Sequence, residues 1–549
     1  AVAALPRPLP PGGVTVHVTP GFYRMAAPLT LGQEHSGIEG SPVTFAATAP
    51  GVRLVGGVVV NHSAASSAGV AAPPNLPPSA RVVDLAASNV TDYGKMTPRG
   101  GCCNAGVTAC PSTGPLSVTV ERMPLHRARW PNLLPGAVAG NSTRLTWTST
   151  VPKAASDPGV TNTSFRYSAD APFGTWRDWG DVWAHGLWWF DWNDLLSPVA
   201  GVDAAAHTVH LAPPYPTAHD TGGGITGGAR YWLENSADAL DAPGEYWLNS
   251  TSGKLFFVPP VDADMESTTA FGDDSEVVVT TTESLLQVQG CSHLQFVGLT
   301  FESCRGTAVV VGPATSDADA AAAAWSNIDI VNCTVLGAGS SGITLSGGVN
   351  SSVSGGEVRH VGCRGVSVTG PTVAGERTRW VDGLSIDNMY IHDWAQTVLT
   401  YQPGVTIEGS GSAVRNNDIR TSPHFGVSVG GNDQTVAYNL VHHTSEDTFD
   451  NGPVYWCPRN WASRGHRIVH NFFFLNSNKI VPCNPRTSCE KPAIYGDDGS
   501  SGSLIYGNVI YHPNPGFAPP PPGAWNRGSG VKYWGVFFDG SRDMNVTNN

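Results

Sequence analysis

The sequence predicts an all-β protein, a parallel β-helix (solenoid) carrying an inserted β-rich domain. Three observations predict it. Segments of alternating apolar residues around an Asn or Gly recur through the C-terminal half. Glycine makes up 64 of 549 residues, about 12%, and charged residues 14%, against roughly 7% and 25% in an average soluble chain. Between residues 116 and 260 the pattern changes, tryptophans crowd and strands lengthen.

The repeat reads LQFVGLTF (294–301), IDIVNCTV (328–335), LSIDNMYI (384–391), SAVRNNDI (412–419), TVAYNLVH (435–442), RIVHNFFF (467–474) and SLIYGNVI (503–510). Asn388, Asn417, Asn439, Asn471 and Asn508 are spaced by 29, 22, 32 and 37 residues, one coil turn with loops of varied length inserted. A single turn cannot bury its apolar face, so it stacks on the next at about 4.8 Å. Alternation sends the aliphatic residues inward. The recurrent Asn is expected at a bend, in left-handed geometry, with its amide stacked in a hydrogen-bonded ladder. An antiparallel sandwich also alternates, but it does not require an Asn at the same place in every segment.

Residues 1–115 read as the cap and first turns, through VTVHVTPGFYRMAAPLTL (14–31) and SPVTFAATAPGVRLVGG (41–57). Residues 116–260 read as the inserted, Trp-rich domain, and 261–549 as the main coil. The final MNVTNN (544–549) starts one more repeat, so the chain reads as stopping within the coil.

Composition excludes some functions. No Lys/Arg cluster offers a phosphate footprint, so nucleic acid is not an expected partner. No apolar run approaches the ~20 residues of a membrane span. Ten cysteines, with Cys102, Cys103 and Cys110 in one loop and Cys483 and Cys489 bracketing another, fit disulfides and an oxidising compartment. Buried free thiols are the plainer alternative, and no paired C-x-x-C suggests zinc. Sequons begin at Asn61, Asn89, Asn141, Asn162, Asn249, Asn332, Asn350 and Asn545. With the cysteines they point to secretion or the cell surface, with N-linked glycans at those positions.

Three stretches carry a resemblance: LDAPGEYWLNSTSGKLFFVPP (240–260), HFGVSVGGNDQTVAYNLVHHTSEDTFDNGPVYW (424–456), and CPRNWASRGHRIVHN (457–471) with IYGDDGSSGSLIYGNV (494–509). They resemble secreted right-handed parallel β-helix enzymes acting on carbohydrate, and the chain looks most like glycoside hydrolase family 141, whose activities include a fucosidase and a xylanase. The resemblance implies a right-handed coil, a polysaccharide or glycan as substrate, no cofactor, and catalytic aspartates at Asp450 and at the Asp497–Asp498 pair. Two departures stand out: Phe449 where relatives carry a small residue, and Pro458-Arg459-Asn460-Trp461 where they often read G-R-D-W.

Glycoside hydrolysis needs one carboxyl to protonate the leaving oxygen and another to attack or to activate water. Asp450 precedes the strand PVYW and Asp497 follows AIY, so stacking of turns brings them to one face. One carboxyl needs a raised pKa, from burial or from a neighbour such as Asp498. Read blandly, D-D-G and D-N-G are surface turns. Substrate-binding candidates around the pair are His424, His443, Glu446, Tyr455, Trp456, Trp461, Arg464 and Tyr495, with His442 and Asp447 close by. Trp faces stack on sugars, and Arg464 could clamp a uronic acid through two parallel hydrogen bonds. The six Trp between Trp176 and Trp192 read first as a packed seal between insert and coil. No ligand spacing calls for a metal. A polysaccharide lyase and a non-catalytic surface glycoprotein on the same coil are the alternatives. The lyase lacks bases, with only Lys479 and Lys491 near the site.

Overall fold

The computed structural model describes residues 2–65, 72–99, 102, 114–133, 149–150, 163–216, 224–261, 271–313, 325–371, 381–459, 461–475, 490–512 and 532–549. Its main body is an all-β solenoid of stacked turns. One parallel sheet of ten strands includes Val366–Thr369, Val405–Glu408, Val427–Val429, Val454–Trp456, Glu490–Gly496 and Lys532–Phe538. A second parallel sheet receives each turn twice, once before and once after the Asn bend, as in Thr435–Ala437 with Leu440–His442.

Pairing is in register, so like residues stack. On the ten-stranded sheet Val366, Val405, Val427, Val454 and Ile494 follow one another inward. Val353, Ile386, Val414, Val436, Ile468 and Ile505 do the same on the second sheet. All are fully buried. Each such side chain contributes about 1.5–3 kcal/mol relative to exposure, but only because a neighbouring turn covers it.

The Asn ladder is present one residue away from the expected conformation. Asn439 Oδ1 accepts from the backbone N–H and the Nδ2 of Asn417, at 3.0 and 2.9 Å. Asn471 does the same for Asn439, Asn508 for Asn471 and Asn549 for Asn508. The left-handed backbone falls on the preceding residue: Asn416, Tyr438, His470, Gly507 and Asn548 all have φ between 57° and 64°. That kink turns the ladder Asn inward, and Asn417, Asn439, Asn471 and Asn508 are buried there. Asn388 is not a rung. It is exposed at φ 54°, and Met389 takes the inward place, its N–H donating to Asn417 Oδ1 at 2.9 Å.

The antiparallel block is wider than the change of pattern suggested. Gly57–Val59 pairs antiparallel with Val277–Thr280. The solenoid resumes when Leu286–Gln289 joins Leu29–Leu31 and Thr300–Cys304 joins Val52–Val55. The excursion therefore runs from Gly57 to Thr280 rather than 116–260, and the first turns end near residue 55 rather than 115. The strands between residues 57 and 115, such as Gly57–Val59 and Arg81–Asp84, are short apolar runs, and such runs do not distinguish parallel from antiparallel pairing.

Two devices tie this block to the coil. A disulfide joins Cys102 to Cys363 on the solenoid. Asp194, fully buried, accepts from the N–H of Leu399 (2.8 Å) and of Thr400 (3.0 Å) and pairs with His185 at 2.7 Å. Cys291, Cys304 and Cys333 are buried free thiols whose pKa values burial raises to about 11, 12 and 11. Cys102 thus finds a partner far along the chain rather than in its own loop. Cys103, Cys110, Cys483 and Cys489 lie outside the described residues.

Candidate active site

Alternation on the ten-stranded sheet points one row of side chains away from the core: Ser367, Thr406, Ser428, Tyr455, Tyr495 and Phe537, paired rung to rung. Thr406, Ser428, Tyr455, Tyr495 and Phe537 of this row line a groove of about 1310 Å³. The inserted block adds Arg99, Trp192 and Asn193 to it. Asp450 lies ahead of its strand, and Asp497, Asp498 and Asp539 at the far ends of theirs, so acids line both margins.

The two principal aspartates are held crosswise. The Tyr455 hydroxyl donates to Asp497 Oδ2 at 2.8 Å, and the Tyr495 hydroxyl donates to Asp450 Oδ1 at 3.0 Å. Each carboxylate is thus fixed by the tyrosine of the neighbouring turn, and the rings meet edge to face at 5.4 Å. Burial pushes both phenols, and that of Tyr401, well above their ordinary range, so they remain donors. Asp497 also has a raised pKa. Burial is the main cause and the charges of Asp498 and Asp539 add to it, while the Tyr455 hydrogen bond opposes. Asp498 is exposed, donates its N–H to Asp497 Oδ1 (2.9 Å) and pairs with Arg459 at 3.4 Å. It acts on the site through Asp497.

Tyr455→Phe therefore has a predictable sign. It removes a bond that favours the charged form, so the Asp497 pKa rises further. If protonated Asp497 is the active form, the alkaline limb of the pH–rate profile moves to higher pH while the maximal rate falls. A pH profile of kcat/KM measures this.

Phe449 is explained by the seam it fills. It is fully buried, with Lys491 Nζ 4.6 Å and the Arg230 guanidinium 5.8 Å from the ring centroid. Arg230 bonds Asp191 (2.9 Å) and the Asp447 carbonyl (2.7 Å), and the Phe449 N–H meets the Asp191 carbonyl. The large ring clamps the inserted block onto the loop that carries Asp450. Phe449→Ala is expected to cost about 3–5 kcal/mol in chemical unfolding and to lower activity by loosening Asp450.

Several expected binding residues stand elsewhere. His424 is buried behind the groove, its Nδ1 2.7 Å from Thr448 Oγ1, and desolvation lowers its pKa to about 3. Glu446 is buried, with the Lys491 ammonium on its carbonyl at 3.0 Å. Trp456 points into the core beside His466 and Phe538, because it has the inward parity of its strand. His443 is on the second sheet's side, against His442 and Phe474. Trp461 and Arg464 are exposed and do not line the groove; the Arg542 guanidinium stacks over Trp461 at 4.5 Å. Asn460 and Lys479 lie outside the described residues. Of the binding candidates, Tyr455 and Tyr495 are the two the fold brings to the groove.

Residues the sequence did not single out are Arg99, Arg364, Tyr401, Glu408, Cys457, Arg459, Glu490 and Asp539. Strand register could have signalled two of them: Cys457 and Asp539 directly follow Trp456 and Phe538, the rung partners of Gly496, which precedes Asp497. Trp192 is the sugar-platform candidate in place of Trp456, half-buried and edge-on to Tyr401 at 6.2 Å. One donor set could hold a cation, since ligand atoms of Cys457, Asp497 and Asp498 lie within 4.8 Å of one another. Burial and the Asp497 charge raise the Cys457 thiol to about 11, so without a cation it is protonated at neutral pH.

No family model and no curated protein matches the sequence. Among solved structures, the chain is similar to a glycoside hydrolase with a TM-score of 0.65 at 15% identity, over 98% of this chain and 89% of that one. Weaker similarities are to XylC in complex with xylose (TM-score 0.37, 10% identity, 91% of this chain and 65% of that one) and to the lacto-N-biosidase of Eubacterium ramulus (0.24, 12%, 48% and 51%). The first is a likeness of fold across nearly the whole chain.

Proposed function

We propose that the protein is a secreted glycoside hydrolase acting on a complex plant- or algal-type polysaccharide, related to glycoside hydrolase family 141. Asp497 is the general acid and Asp450 its partner, as nucleophile or base. The observation that carries this reading is the crossed Tyr–Asp pair in one long groove. A carboxyl with a raised pKa is poised to give up a proton, and a second carboxyl in the same groove completes the pair. Tyr455 and Tyr495 fix both and stay protonated.

A lyase on the same scaffold needs a base. The groove phenols are pushed away from ionisation, and Lys491, lowered to about 8 by burial, is not on the groove. The hydrolase is therefore the better reading. Export agrees with the exposed sequon residues Asn61, Asn89, Asn332, Asn350 and Asn545. Asn249 is half-buried, its Oδ1 accepting from Thr251 and Ser252, and Asn141 and Asn162 lie outside the described residues.

The test is incubation of the folded chain with a panel of plant and algal polysaccharides, followed by assay of released sugars. Reducing ends without an ultraviolet-absorbing unsaturated product support the hydrolase. An unsaturated product would make it a lyase, and no release from any glycan would sink the enzyme reading.

A further inference from the structure

The groove is electrically lopsided. Five acids, Asp450, Glu490, Asp497, Asp498 and Asp539, belong to its later turns, with Arg459 their one cation among the lining residues. The earlier turns bring Arg99 and Arg364, with Glu408 the acid between them and the catalytic end. Arg99 is committed: its Nη1 donates to the Asp194 carbonyl at 3.1 Å and its Nη2 to the Thr400 carbonyl at 3.3 Å.

Arg364 is not committed. Its Nε and Nη2 are buried and have no hydrogen-bond partner among the described residues. No carboxylate among those residues comes within ion-pair distance of it. The hydroxyl of Thr406, on the next turn of the same wall, is also buried and without a partner. Burial lowers the Arg364 pKa and the Arg99 charge adds to that, with Glu408 opposing. A planar fork of donors held without an acceptor is costly unless a ligand satisfies it. Paired parallel N–H groups match a carboxylate or another oxyanion.

We infer that Arg364, with Thr406, forms a subsite for an anionic group carried by the glycan, a uronate carboxylate or a sulfate ester. This deepens the proposed function and rests on the groove being a glycan site. Val366, Val405, Val427 and Val454 are successive rungs, so the Arg364 turn lies three rungs from the Asp450 turn, about 14 Å at ~4.8 Å per rung. The anion recognised is therefore on a sugar removed from the bond being cleaved, and a substrate must be an oligomer to reach both. Arg464, the arginine the sequence suggested for this task, is exposed outside the groove. Arg364 takes its place.

The test is binding, not turnover. Calorimetry would compare a uronate oligosaccharide with its carboxyl-reduced counterpart, and a sulfated oligosaccharide with its desulfated counterpart. The wild type, Arg364→Gln and Arg364→Lys are run alongside, with thermal unfolding as the control for folding. The expected result is that the wild type prefers the charged member of one pair by roughly tenfold to a hundredfold. Arg364→Gln loses that preference while keeping its affinity for the neutral member, and Arg364→Lys retains part of it. Which pair shows the preference identifies carboxylate or sulfate. Equal binding of charged and neutral members by the wild type overturns the inference and leaves the hydrolase reading intact. The same holds for a preference that survives in Arg364→Gln. Binding of no oligosaccharide at all removes both. Should the Arg364 variants unfold, Thr406→Val, which removes the second member of the subsite, carries the same comparison: a weakened preference supports the inference, and an unchanged preference, or equal binding of the two members by the wild type, overturns it.

Discussion

Asp497→Asn is expected to slow hydrolysis of an unactivated glycan by roughly 10²–10⁴-fold, the usual contribution of a positioned acid. Asp450→Asn should do at least as much. The two losses differ in kind, and an activated aryl glycoside separates them. A leaving group that departs as a stable phenolate needs little protonation, so Asp497→Asn should recover much of its rate on that substrate. Asp450→Asn should not, because attack or water activation is required whatever leaves. Loss of the alkaline limb of the pH–rate profile in Asp497→Asn would add a second signature, since burial raises the pKa of this carboxyl. If both variants keep wild-type rates on the polysaccharide, the pair is assigned wrongly. If the recovery appears in Asp450→Asn instead, the roles are reversed. Asp498→Asn is the companion variant. It removes a neighbouring charge that helps to raise Asp497, so it should shift the alkaline limb to lower pH while sparing most of the maximal rate.

How much of this was legible in the sequence follows from where each signal resides. The coil was legible because a solenoid repeats its burial pattern locally, and Asn417, Asn439, Asn471 and Asn508 are genuine rungs. Asn388 misled because its segment has the same Asn between apolar residues but an inward Met389. Only the register of neighbouring turns shows that. Asp450 and Asp497 were legible through adjacent strands, and the structure brings both to one groove. The binding residues fared differently. Trp456 was chosen for its chemistry, yet strand parity turns it inward, while the same parity turns Tyr455 and Tyr495 outward. Arg99, Arg364 and Trp192 come from distant segments, and no spacing in the sequence joins them to Asp450. Phe449 looked like a departure at the site, whereas it fills a seam that exists only because the inserted block folds back onto the coil.

Asn439→Ala is expected to be the most destabilising single change in the coil outside the apolar stacks. Asn439 satisfies four buried groups. Its Oδ1 accepts from Asn417 N–H and Nδ2, and its Nδ2 donates to the Val414 carbonyl at 3.0 Å and to Asn471 Oδ1 at 2.9 Å. Alanine leaves all of these without that partner in a place where Asn439 itself is only 2% exposed. At about 1–3 kcal/mol for a buried group left unsatisfied, with partial relaxation, a loss of about 3–5 kcal/mol follows. Asn439→Asp should also fail, since a carboxylate cannot donate to Val414 or Asn471 and would bury a charge. Asn388→Ala is the control, because Asn388 is exposed and holds no rung, and it should change stability little. Chemical unfolding of the three variants settles the matter. Equal losses for Asn388→Ala and Asn439→Ala would mean that the ladder accompanies the fold without supporting it. The effect should also reach the groove, because Asn439 lies on the turn between Ser428 and Tyr455. Slack there loosens the stacking that brings Tyr455 to Asp497 and Tyr495 to Asp450. A solenoid has no separate scaffold beneath its site, so the rungs that hold the coil together also set the spacing between its carboxylates.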